Sequence, residues 1–99
     1  MCSVSKVPEG FSAGFAVPQV FPDGKVDVAV IRDIARRAEA AGFADLWTQE
    51  QLIGTSVSVE PLTLMAYLAA VTERVRLGVS VLVLPVHSPL HLAKRLASL

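Results

Sequence analysis

One cysteine, one tryptophan and one tyrosine stand among 99 residues, and neither sign of charge is in excess. The lone Cys2 excludes a disulfide framework and a Cys-rich metal site, and it fits a reducing, cytoplasmic setting. Nine basic residues against nine acidic ones leave no basic stripe of the kind a nucleic-acid reader or membrane-surface binder carries. MCSVSK leads into Val7-Pro8-Glu9-Gly10 rather than an apolar core segment, so no signal peptide is expected. The longest apolar run, residues 79–86, is broken by Ser80 and Pro85 and falls far short of the ~20 residues of a membrane span. Neither a GxGxxG turn nor a GxxxxGK[ST] loop is present, which disfavours the dinucleotide-binding doubly wound fold and the phosphate-loop enzymes. What the chain has instead is apolar residues, 53% against 18% charged, the balance of an extensively buried α/β domain.

Residues 1–12 read as a loose leader and residues 13–99 as the folded part. AGFAV (13–17) is a short buried strand ended by Pro18, which has no N–H to give a ladder. QVFPDGK (19–25) is loop, with Pro22-Asp23-Gly24 as turn chemistry. Asp27 is the expected N-cap of a helix whose apolar stripe is Ile31, Ile34, Ala35, Ala38 and Ala41. Gly42 stands where a left-handed cap would end it. Residues 46–49 (LWTQ) form a second strand, and 50–59 a loop. Pro61 opens a second helix through Leu62, Leu64, Met65, Leu68 and Ala69, ending near 72–74. RVRLGVSVLVLP (74–85) is a third strand without polar alternation, the pattern of burial on both faces. Ser88 and Pro89 then start a third helix with Leu92, Leu96 and Leu99 on one face. The order β-α-β-α-β-α with short connections argues a parallel sheet with right-handed crossovers. The chain stops at Leu99 inside that helix, without a C-cap. The expectation is therefore the N-terminal three β/α units of an eight-fold β/α (TIM) barrel, incomplete by itself, since a whole barrel takes ~250 residues.

In such a barrel, chemistry sits at the C-terminal ends of the strands. That singles out Pro18 and Gln19, residues 48–51, and residues 80–84. Glu50 and Gln51 have two readings: a solvated loop carboxylate and amide, or a pair aimed into a ligand pocket. Trp47 is assigned to the core. His87 and His91 are four apart, but no HExxH pattern or third ligand accompanies them. Phosphate contact or plain solvent exposure is expected there, and no metal. Ser80 taken alone is a serine bonded to a neighbouring carbonyl, and it shares with Gly78 the oddity of a small residue inside a core strand.

AEAAGFADLW, EPLTLMAYLAAVTERVRLGVSVLVLP and HSPLHLAKRLASL together, over about residues 15–99, closely resemble the N-terminal portion of the bacterial luciferase-like monooxygenase family. The nearest branch looks like the one using the deazaflavin coenzyme F420. The resemblance implies a β/α barrel, a homodimer when full length, that binds F420 or flavin mononucleotide (FMN) at its C-terminal mouth and oxidises or reduces a small organic substrate. It also implies a bulge in the third strand with a cis peptide at Ser80-Val81, preceded by Val79, against which the flavin ring lies. Small residues at 78 and 80 would let the strand buckle and the ring approach. The family's acidic residue after strand two matches Glu50. Its following histidine is replaced by Gln51, whose amide cannot exchange a proton near neutral pH but can still hydrogen-bond. The cofactor-binding set implied is thus Ser80, Val81, Val79, Glu50 and Gln51, with Gln19 a weaker wall candidate and no catalytic residue assigned. The reading from another class is a non-catalytic, truncated half-barrel that only packs against a partner chain. On either reading the isolated piece is expected to be inactive.

Overall fold

The computed structural model describes residues 7–99; Cys2 and the first half of the expected leader lie outside the described residues. The chain runs through β1 (Gly14–Ala16), β2 (Val20–Phe21), α1 (Val28–Ala40), β3 (Asp45–Thr48), β4 (Val57–Ser58), α2 (Pro61–Val71), β5 (Arg76–Val79), a 3-10 turn (Leu84–Val86) and α3 (Pro89–Ser98). β1, β3 and β5 form a parallel sheet in that order, as the β/α alternation predicts. The sequence pattern did not disclose β2 and β4. They are a two-residue antiparallel pair joining the segments read as plain loops after β1 and β3.

Helix boundaries follow their local chemistry. The Asp27 carboxylate accepts from the Val30 N–H at 3.1 Å, capping α1. Gly42, at φ 95°, supplies the left-handed residue just past its end. Pro61 is the first residue of α2, and Glu60 before it accepts from the Thr63 N–H and hydroxyl, both at 2.7 Å. α3 starts at Pro89 after Ser88, but the Ser88 side chain makes no cap hydrogen bond. The third strand is much shorter than residues 74–85. It ends at Val79, because the chain turns at Ser80 and then coils into the 3-10 turn instead of continuing the ladder.

Register decides which side chains share a face. Phe15, Leu46 and Leu77 stand level on one face, while Ala16, Trp47 and Gly78 stand level on the other. Ile31, Ala35 and Ala38 of α1, with Leu64 and Leu68 of α2, pack on the first face around Leu46, which is fully buried. Leu92 of α3 joins Leu62 and Met65 of α2, with Val79 and Leu82 beside them. Leu96 and Leu99, expected on the same face as Leu92, are 46% and 45% exposed. Among the described residues the second face carries no helix. Its lower edge is closed by Arg76, whose guanidinium grips Asp45 on the neighbouring strand at 2.7 and 3.3 Å.

One carboxylate ties the helical layer to the sheet. Glu39, near the end of α1, accepts from the backbone N–H groups of Glu73, Arg74 and Val75 at 2.9, 2.6 and 3.1 Å, where α2 hands over to β5. Partial desolvation pushes its pKa up, but these three donors and the Arg74 charge outweigh that and hold it below 4.5. A carboxyl depressed in the folded state contributes stability above its unfolded value, and loses it as pH falls through the folded one.

Two outcomes follow for stability. Leu46→Ala removes a fully buried side chain from the central strand and is expected to cost roughly 2–5 kcal/mol in urea unfolding. Glu39→Gln is expected to be less stable than the parent protein near neutrality. Unfolding midpoints taken at a series of pH values should show the gap closing as pH drops below 4.5.

Candidate functional site

The C-terminal ends of the three parallel strands border a cavity of about 460 Å³ whose walls include Ala16, Gln19, Trp47, Gln49 and Ser80. Its volume falls in the range of small-molecule sites, roughly 300–1,000 Å³. Gln19 builds one wall. It follows β1, is 4% exposed, and uses its side-chain amide like an extra ladder rung. Its Oε1 accepts from the Gln49 N–H at 2.8 Å, while its Nε2 donates to the Gln49 carbonyl and, at 2.8 Å, to the Val59 carbonyl. The Val59 N–H returns a bond to the Gln19 carbonyl at 3.1 Å. One buried amide thus fastens the ends of β1, β3 and β4 to each other. A buried amide is tolerated only when satisfied in this way.

Ser80 builds the opposite wall. Its N–H donates to the Thr48 carbonyl at 2.8 Å, the last rung between β3 and β5, and Thr48 Oγ1 donates to the Gly78 carbonyl at 3.3 Å. The Ser80-Val81 peptide bond is cis, as the family resemblance implies, and Val81 is 74% exposed. Beyond it, Glu50 holds the departing chain. Its side chain is 2% exposed, accepts from the Val83 N–H at 3.1 Å, and faces His87 Nε2 with both oxygens at 2.9 and 2.8 Å.

The implied site residues therefore divide. Ser80 lines the cavity, and Val81 sits exposed beside it. Val79 is partly buried against the helical layer. Glu50 is turned toward Val83 and His87, and Gln51 is exposed with its amide folded against Gly54. Gln19, the weaker candidate, is in the wall. Three readings need correction. His87 is not a free surface group, since its ring is 11% exposed against Glu50, while His91 lies exposed one turn along α3. Trp47 is not core: it is 40% exposed and lines the cavity. Gly78 does not face an open approach, because the Trp47 ring lies over it. The missed signal was the register, which sets a tryptophan between glycine-bearing strands.

The Glu50 contacts make a specific prediction. Glu50→Ala leaves the Val83 N–H to solvent and orphans the largely buried imidazole, a loss of roughly 1–3 kcal/mol for the latter. Glu50→Gln keeps an acceptor for Val83 and a hydrogen-bonding group facing His87. Hydrogen exchange at the Val83 amide should accelerate in Glu50→Ala far more than in Glu50→Gln, with the β3 amides little changed.

Comparison with known proteins places this geometry. The sequence pattern of the luciferase-like monooxygenase family matches residues 11–99. Limonene 1,2-monooxygenase of Rhodococcus erythropolis is 32% identical over 88 residues, covering 86% of this chain and 23% of that protein. The chain therefore spans under a quarter of the length of the curated relative it matches. No solved structure matches it. The parallel β/α order, the cavity at the strand ends and a family match over nearly the whole chain agree: this chain belongs to the luciferase-like monooxygenase family.

Proposed function

We propose that the protein carrying this chain is a flavin- or deazaflavin-dependent oxidoreductase acting on an organic substrate, built on a β/α barrel of which these are the first three units. A cytoplasmic homodimer is part of the same reading; among the described residues no helix is long and apolar enough to cross a membrane. The observation that carries the proposal is Ser80, a small exposed residue where β5 ends, set in the wall of a cavity at the C-terminal ends of the strands with the exposed Val81 next in the chain. The residues there suit a flat heterocycle: Ser80 brings only a small side chain to this wall.

When bound, FMN or F420 supplies the redox chemistry, and the protein supplies orientation and exclusion of water. Ser80 and Val81 would hold the ring from one side. The Gln19 amide keeps the opposite wall from moving, through its bonds to the Gln49 backbone and the Val59 carbonyl. Glu50 and His87 act one step away, anchoring the segment that follows Val81. Gln51 carries no proton-transfer role, since an amide does not titrate. The relative is named for limonene, and an apolar hydrocarbon of that kind is the proposed substrate class.

A second reading, a non-catalytic chain that packs against a partner, is favoured by one observation. β1 and β5 are open sheet edges among the described residues, and Val81, Leu84 and Leu90 in the chain that follows β5 are exposed.

Cofactor retention separates the two. The whole protein is mixed with FMN or F420, desalted, and scanned for bound absorbance. Saturable retention of one of them is expected, and loss of both on the column would sink the oxidoreductase reading. Ser80→Leu is expected to weaken cofactor binding about tenfold, ~1.4 kcal/mol, with little change in the thermal midpoint. Equal losses in binding and stability would reduce Ser80 to a packing residue.

A further inference from the structure

Three consecutive residues at the end of β3 each take hold of a different neighbour. Thr48 bonds to β5, its carbonyl accepting from the Ser80 N–H at 2.8 Å and its hydroxyl donating to the Gly78 carbonyl at 3.3 Å. Gln49 is held through its backbone, whose N–H and carbonyl both meet the Gln19 side chain. Glu50 is held through its side chain, by the Val83 N–H at 3.1 Å and His87 Nε2 at 2.8 Å. One rigid peptide plane joins the Gln49 carbonyl to the Glu50 nitrogen. The direction in which the Glu50 carboxylate leaves the chain is therefore set by the grip on Gln49. Gln19 is 4% exposed, and both hydrogens of its amide are used, one by the Gln49 carbonyl and one by the Val59 carbonyl. It has no donor left for a ligand, so what it does for the cavity it does through the groups it holds.

We propose that the two clamps work in series: Gln19 and His87 are positioning residues that, through the Gln49-Glu50 backbone, jointly fix the wall at Ser80 and Val81. This role rests on the reading that the wall takes the cofactor ring. The chain leaving Ser80 is tied down again at Val83, and that tie exists only while Glu50 points at it. His87 holds the Glu50 carboxylate from one side, and Gln19 holds the Glu50 backbone from the other. Loss of either lets the segment from Ser80 to Val83 leave its place, so loss of the second adds little. Two unconnected clamps would instead contribute separate factors that multiply.

Hydrogen exchange in the whole, cofactor-free protein reads the link itself. Gln19→Met is expected to accelerate exchange at the Val83 amide about tenfold, and His87→Leu to do the same at the Gln49 amide, each effect crossing to the other clamp. Amides in the middle of α1 should keep their parent rates, which general destabilisation would not allow. Affinity for whichever of FMN and F420 the protein retains then reads the consequence. Each single variant is expected to weaken binding about tenfold, and the double variant by about the same factor rather than the product. His87→Gln, whose amide nitrogen can take the place of Nε2 against Glu50, is expected to stay near the parent protein in both readouts. Circular dichroism checks folding; should Gln19→Met not fold, His87→Leu read at the Gln49 amide decides the same question. Exchange that stays local to each clamp, or factors that multiply, would overturn the series arrangement and leave the cofactor reading standing. Crossed exchange in a protein that retains neither FMN nor F420 would support the arrangement and overturn only the cofactor reading.

Discussion

β3 is held by a ladder on each side, and everything else in the molecule is arranged about that constraint. With both edges paired, the strand cannot slip or twist out of register. Alternate side chains then have opposite fates over a distance of one residue. Leu46 goes to the helices and is fully buried, and Trp47 goes to the other face and lines the cavity. Thr48 returns to the covered side, and past the strand Gln49 and Glu50 enter the two clamps that shape the cavity rim. Core and candidate site are thus consecutive readings of one period-two pattern.

The two clamps solve the same problem by different chemistry. Where the parallel ladder runs out, backbone groups need partners, and leaving them buried and unpaired is costly. After β1 and β3 the Gln19 amide stands in for a strand, donating and accepting with the Gln49 backbone and reaching Val59. After β5 the Glu50 carboxylate takes the Val83 N–H and meets His87 Nε2 at 2.8 Å. Because the first clamp sits in the cavity wall and the second holds the chain just beyond Val81, the groups that satisfy the backbone also fix the shape of the site. Glu39 does comparable work at the other end of the sheet, receiving three N–H groups where α2 hands over to β5.

Local signals proved readable wherever one or two residues sufficed to carry them. Asp27, Gly42, Pro61 and Pro89 mark helix ends by hydrogen-bonding or backbone geometry that involves only their immediate neighbours. The β/α alternation announced a parallel sheet, and the family-like stretch around Ser80 pointed to the turn where β5 ends. The third strand was overextended because valine and leucine continue past Val79, and hydrophobicity alone does not say where a ladder loses its partner. The β2–β4 pair escaped notice for a related reason. Two-residue strands have no period to detect, and their pairing depends on Gln19 meeting Val59 across forty positions.

The sequence by itself determined the class of fold, the alternation of the parallel strands with the helices, and the helix boundaries, since those follow from spacing, capping and turn chemistry along the chain. Tertiary structure alone decided that His87 turns inward to Glu50, that Gln19 is a wall, and that Trp47 lies exposed upon Gly14 and Gly78. Each of these joins residues some thirty or more positions apart. Contact across such a gap is fixed by register and packing, which no local pattern encodes.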